Sequence, residues 1–221
     1  MSHDHAHDHA HDHNHGHGKP QRHPNQPDEP PPTGHYQVMA VALRELLVEK
    51  GVLSADEIRA QIERMDARGP HLGARVVAKA WTDPSYRDWL LSNATAAIAS
   101  LGYGGRQGEH MVALPQSPRV HNLIVCTLCS CYPRALLGLP PAWYKSADYR
   151  KRAVREPRAV LKEFGTELPP SVEVRVHDST AELRYIVLPQ RPAGTEGWSE
   201  EKLAGLVTRD AMIGVTLPKR A

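Results

Sequence analysis

The chain has 221 residues, with 27 Lys and Arg against 25 Asp and Glu for a formal net charge of +2, and 40% of it is hydrophobic with a single Phe. A positive balance this slight, with no basic stripe interleaved with aromatics, argues against a nucleic-acid surface, and no apolar run approaches the roughly 18 residues of a membrane span. The first 30 residues hold no apolar segment of the kind a secretion signal needs, so a cytoplasmic location is expected.

In chain order, the first segment is a tail. Nine of the 14 histidines lie between His3 and His23, mostly alternating with Asp, Ala, Asn or Gly. Residues 1–35 cannot build a packed core and are expected to be disordered, with Pro20 to Pro32 as an extended spacer. Its histidines either collect divalent metal or merely solvate the chain. About 185 residues remain. Their lean apolar content and the 19 prolines fit a subunit that buries apolar surface against a partner, or else a small core with many loops.

Past the spacer, Met39, Ala42, Leu43, Leu46 and Leu47 recur on one face of a helix that Gly51 ends. Ser54 and Glu57 form a capping box ahead of Ile58, Ile62 and Met65, so a second helix follows. Asp83-Pro84 opens a third, carrying Trp89, Leu90 and Ala96 toward Leu101. Residues 36–103 thus read as a helical N-terminal region whose stripes are packing surfaces, some of them for a partner, and residues 104–221 as a metal-binding catalytic domain.

That domain holds all three cysteines, in Val125-Cys126-Thr127-Leu128-Cys129-Ser130-Cys131. Three thiols so close, with none elsewhere, point to a soft-metal site. Zinc is poorly specified, because His110 and His121 lie upstream at odd intervals. An iron–sulfur cluster wants four cysteines, and a disulfide leaves one thiol over. A redox-sensing or merely buried cluster stays open. The short Cys129-Ser130-Cys131 arm makes a thiolate–amide chelate available, in which the amide nitrogens of Ser130 and Cys131 join the flanking sulfurs and Cys126 reaches over as a further thiolate. So anionic a donor set favours a trivalent ion, Co(III) or Fe(III), acting as a Lewis acid.

Further on, Val172, Val174 and Val176 alternate with polar residues, as do Leu183, Tyr185 and Val187 after a short break. A hairpin is the simplest reading, and its connection over 178–182 is too long for a tight turn. A last helix runs from Ser199 to about Arg209. The whole reads as α+β: N-terminal helices packed with a small layered α/β domain that carries the metal loop.

The run Val125 to Cys131 resembles the metal-binding signature of the nitrile hydratase alpha subunit, a family related to the cobalt-binding subunit of thiocyanate hydrolase. The resemblance extends through Val120-His121-Asn122, Leu137-Gly138-Leu139-Pro140-Pro141-Ala142-Trp143-Tyr144-Lys145, Arg184-Tyr185 and Leu188 to Trp198, covering about residues 36–217. It implies a four-layer arrangement and a metal held by Cys126, Cys129, Ser130 and Cys131. Thr127 stands where the cobalt type has Thr and the iron type usually Ser, which implies one Co(III) per alpha subunit, with Fe(III) second. The resemblance also implies oxidation of Cys129 and Cys131 to sulfinic and sulfenic acid, and a beta subunit whose arginines face those oxygens. A cobalt-insertion activator protein is a further expected partner. Asp178, Arg184 and Thr127 are expected to support the metal loop, and Gln107 to lie near the substrate cavity.

The expected activity is hydration of a nitrile to the amide, with Cys131, Cys129 and Ser130 at the catalytic centre. The first nucleophile is left open among a metal-bound hydroxide, an activated water and the Cys131 sulfenate oxygen. After Tyr132-Pro133 nitrile hydratases usually place Trp, where this chain has Arg134, and His177 stands where Trp is common. A cation in place of an aromatic wall points to a larger or more polar nitrile. The rival readings are the cobalt subunit of thiocyanate hydrolase, whose anionic substrate suits a cation, and a non-catalytic cobalt- or zinc-binding scaffold.

Overall fold

The computed structural model describes residues 34–104 and 110–221, so the His-rich tail and Gln107 lie outside the described residues. The first two helices are α1 (His35–Glu49) and α2 (Ala55–Asp66). The capping box of α2 is formed: Glu57 N donates to Ser54 Oγ at 3.1 Å, and Ser54 N donates to Glu57 Oε2 at 2.8 Å. Neither helix contributes a buried residue. Met39, Leu43, Ile62 and Met65 face solvent in the single chain.

Helix α3 (Pro70–Thr82) begins with Pro at its first turn, where the missing N–H costs nothing. It had no sequence-based expectation. It buries Gly73, Ala74, Val76, Val77, Ala78 and Ala80 and leaves His71, Arg75 and Thr82 exposed along one narrow face. A Cβ on Gly73 would meet Met212 Sδ at 2.7 Å and Leu137 Cδ2 at 2.8 Å, and the bare glycine lets α3 sit that close to the C-terminal core.

The single helix expected from Pro84 toward Leu101 is two, α4 (Pro84–Ser92) and α5 (Ala94–Ala99). Asn93 divides them, because its Oδ1 accepts from Ala96 N at 3.0 Å and starts a new helix. There follow β1 (His110–Pro115), β2 (Val120–Val125), α6 (Arg134–Leu137), α7 (Ala142–Lys145), α8 (Ala147–Arg155), α9 (Pro157–Glu163), β3 (Glu173–Asp178) and β4 (Leu183–Leu188). The chain ends in α10 (Glu200–Ala204) and α11 (Arg209–Ile213), two short helices in place of the one expected. None of the described helices is long and apolar enough to cross a membrane.

The expected hairpin does not form. β3 and β4 belong to different two-stranded sheets: β4 runs parallel to β1, with His110 opposite Leu183 and Pro115 opposite Leu188. β3 runs parallel to β2, with Val120 opposite Glu173 and Val125 opposite Asp178. Parallel pairs are covered on both faces, and here α8 and α11 pack on β2 and α11 also on β4. The mixed helix-and-strand α+β class stands as expected.

One polar cluster sits inside this core. Gln116 is fixed by the backbone of Asn122, whose N–H donates to Gln116 Oε1 at 2.5 Å and whose carbonyl accepts from Gln116 Nε2 at 3.0 Å. The same Nε2 lies 3.3 Å from His121 Nδ1, while His121 Nε2 lies 2.6 Å from Gly214 O. His121 Nε2 therefore carries the proton and Nδ1 accepts. Burial lowers the His121 pKa, and burial followed by the charge of Arg175 lowers that of His177 on β3. Both histidines take up protons more readily unfolded, near pH ~6.5, than folded. Their stabilising effect is complete above that pH and is lost as pH falls toward the folded values, at about 1.4 kcal/mol per pH unit for each differing proton. Denaturant unfolding of the assembled protein between pH 5 and 8 should show this loss, and His121→Gln should flatten it. A flat wild-type profile would rule out the buried neutral histidine.

Candidate metal centre

The parallel β2/β3 pair sets the site. Both strands end together, with Val125 opposite Asp178, so the cysteine loop leaves β2 beside the start of the 178–182 connection. This is the carboxyl edge of parallel strands, where α/β folds commonly place ligands. Ser179 N donates to Val125 O at 2.7 Å and draws the second loop onto the first.

Within the loop the three sulfurs converge, all within 4.8 Å of one another. Cys129 Sγ is 3.5 Å from Cys126 Sγ and 3.3 Å from Cys131 Sγ. Cys126 is buried, Cys131 intermediate and Cys129 exposed, so the cluster opens outward. Hydrogen bonds from Cys131 and Cys126 hold the Cys129 thiol below the usual thiol range. Burial, aided by the neighbouring thiols, pushes Cys131 up to about 12, against the charge of Arg184 on β4. The exposed Cys129 sulfur therefore gives up its proton more readily than Cys131.

The residues fit a soft, Lewis-acidic metal. The backbone amides of Ser130 and Cys131 both act on the Cys129 sulfur, which lies within 3.5 Å of the other two sulfurs. No His, Asp or Glu completes a second such group of metal-binding side chains among the described residues. A tetrahedral zinc site would want a fourth side chain, which the described residues do not supply.

Around the loop, the Asp178 carboxylate accepts from Thr127 N at 2.9 Å and also from Thr127 Oγ1. Tyr144 Oη donates to Cys131 O at 2.8 Å, and Tyr149 Oη donates to Ile124 O at 2.6 Å. Both tyrosines have pKa values raised by burial, so they stay protonated donors. They belong to an aromatic floor in which the Trp143 ring centroid lies 4.8 Å from Tyr149 and 4.7 Å from Phe164, and Tyr132 lies 5.2 Å from Tyr144. Loss of a buried hydroxyl that satisfies a backbone carbonyl costs on the order of 1–3 kcal/mol. Tyr149→Phe should therefore lower unfolding stability by about that much, and an unchanged denaturation midpoint would contradict it.

Of the residues singled out from sequence, Cys126, Cys129, Ser130, Cys131, Thr127 and Asp178 come together, and Arg184 is near enough for its charge to act on Cys131. Arg134 is the first residue of α6, exposed and three positions beyond Cys131. His177 joins the Asn122 network, with its Nε2 2.8 Å from Asn122 Oδ1. Sequence reasoning missed Tyr144, Tyr149 and Arg150, whose Nη1 donates to Leu128 O at 3.1 Å. The lysine and arginine pattern of α8 carries no signal for that contact, since Arg150 is 22 residues from its partner.

The loop of this α+β chain thus offers three sulfurs and two backbone nitrogens to a single ion. A family profile described as nitrile hydratase, alpha chain, matches residues 34–216. The cobalt-containing nitrile hydratase subunit alpha of Pseudonocardia thermophila is 56% identical over 176 residues, covering 79% of this chain and 86% of the relative. The thiocyanate hydrolase subunit gamma of Thiobacillus thioparus is 44% identical, over 83% and 80% of the two chains. A recombinant thiocyanate hydrolase with partially modified cobalt centres superposes with a TM-score of 0.78 at 43% identity, covering 85% of this chain and 92% of that one. An Fe-type nitrile hydratase from Comamonas testosteroni Ni1, in a doubly substituted form, gives 0.77 at 44% identity, over 83% and 90%. The chain belongs to the nitrile hydratase alpha-chain family.

Proposed function

We propose that this chain is the metal-binding alpha subunit of a cobalt nitrile hydratase, which adds water across a nitrile to give the amide. The observation that carries the reading is the convergence of three sulfurs and the Ser130 and Cys131 amides at the β2/β3 edge, in a chain more than half identical to a cobalt-containing relative. Cys126, Cys129 and Cys131 would hold the ion through sulfur, and Ser130 and Cys131 through peptide nitrogen. Bound there, a trivalent cobalt supplies Lewis acidity at neutral pH.

The chain's own residues do the holding and sorting. Asp178 fixes Thr127 at the near end of the loop, Tyr144 fixes the Cys131 carbonyl at the far end, and the aromatic floor keeps water from the buried side. Oxidation of Cys129 to the sulfinic and Cys131 to the sulfenic acid is what the family resemblance implies, and the exposure and lowered pKa of Cys129 support it at that sulfur. Those oxygens need cationic partners, which a beta subunit would bring. Delivery of cobalt by an activator protein and a cytoplasmic setting complete the reading.

Arg134 defines the substrate class. An exposed guanidinium three residues beyond Cys131 favours a larger nitrile with a polar or anionic substituent over a small aliphatic one. The same cation favours one second reading, hydrolysis of thiocyanate. Co-expression with the partner subunit and cobalt, followed by assay against a panel of aliphatic and functionalised heteroaromatic nitriles and thiocyanate, tests both. Amide from the polar nitriles is expected. Carbonyl sulfide and ammonia from thiocyanate with no amide from any nitrile would select the second reading, and a loaded complex without either activity would leave a metal-binding scaffold.

A further inference from the structure

We infer that Arg150 is a positioning residue of the metal loop, acting through the Leu128–Cys129 peptide on the buried Cys126 sulfur. The inference rests on the metal-centre reading above. Arg150 is half-buried on α8, and three contacts set its guanidinium: Nη1 donates to Leu128 O at 3.1 Å and to Thr127 O at 3.4 Å, and Nε donates to Ser146 O at 3.4 Å at the start of its own helix. The helix thereby reaches the tip of the cysteine loop. That tip has no packing of its own, since Leu128 is 88% exposed.

Thr127 is consequently clamped from both sides by opposite charges. Its N–H donates to the Asp178 carboxylate at 2.9 Å, and its carbonyl accepts from Arg150. The next peptide carries the effect inward. Its carbonyl, on Leu128, is held by Arg150, and its N–H, on Cys129, donates to Cys126 Sγ at 3.3 Å. A cation at a carbonyl oxygen polarises the peptide and strengthens its N–H as a donor. A stronger N–H···S bond withdraws charge from the sulfur, and bonds of this kind around a site commonly change metal affinity about 10–100-fold. Arg150 thus fixes the loop tip and lowers the electron donation of the one cysteine expected to stay unoxidised.

The test uses the full chain assembled with its partner and loaded with cobalt, comparing wild type with Arg150→Ala, Arg150→Gln and Arg150→Lys. Two readouts separate the role from general structural damage: the rate of cobalt loss to a chelator, and the position of the sulfur-to-cobalt charge-transfer band. Arg150→Ala should release cobalt about 10-fold faster or more, with the band moved to longer wavelength as Cys126 becomes more electron-rich. Lys should rescue part of both, and Gln, which donates without charge, should fall between Lys and Ala. If the Ala variant does not assemble, the Gln variant carries the test, with cobalt released faster and the band at longer wavelength than in Arg150→Lys. Variants that load with an unmoved band and wild-type release overturn the Arg150 role alone. A wild-type complex that takes up no cobalt overturns the metal-centre reading and this inference with it.

Discussion

The complex assembled with Cys129→Ala is expected to hold less than about a tenth of the wild-type cobalt and to lose nitrile hydration with it. Cys129 is the hub of the cluster, the one sulfur within 3.5 Å of both others. It is also the most exposed of the three and the one whose thiol is held low. Removing it leaves Cys126 and Cys131 without their common neighbour and takes away the atom on which the Ser130 and Cys131 amides act. Because neighbouring groups alone alter metal affinity by about 10–100-fold, loss of a donor atom exceeds that range. Metal analysis of the purified complex reads the effect, and near-stoichiometric cobalt in the variant would mean that the ion sits elsewhere.

The second large effect is on folding. Gly214→Ala should destabilise the protein by on the order of 3 kcal/mol or more. Gly214 ends α11 with φ +90°, a left-handed conformation in which a Cβ is strained. Space is denied as well, since an added Cβ would lie 2.1 Å from Asn122 O on β2. Its own carbonyl accepts from His121, so a shift away from β2 also breaks the buried His121–Gln116–Asn122 cluster. β2 leads straight into Cys126, and the variant should therefore lose cobalt in proportion to the fraction unfolded. A denaturation midpoint equal to wild type would show that the close approach of α11 to β2 is not under strain.

What could be read from the residues alone divides along a physical line. The cysteine loop was legible because its chemistry is local: three thiols within six residues define the donor set before any fold exists. The capping box of α2 was legible for the same reason. Strand partners were not, because the alternation of Val172, Val174 and Val176 reports which face is buried and says nothing of the neighbour across the ladder. Both β3 and β4 pair with strands some 50 to 70 residues earlier. Helix α3 was legible in principle, since His71, Arg75, Lys79 and Thr82 recur on one face of an otherwise buried helix. Support of the metal loop by Asp178 was expected from the family resemblance, and its partner Thr127 is read from the structure. Arg150, Tyr144 and Tyr149 reach the loop only through the fold, and nothing in their spacing announces it.

The metal loop is defined by its ligand set. X-ray absorption at the cobalt edge of the loaded complex measures it most directly. Three sulfur neighbours from Cys126, Cys129 and Cys131, with two nitrogen neighbours from the Ser130 and Cys131 peptides, are the predicted result. A shell containing imidazole, or sulfur with no nitrogen at all, would contradict it.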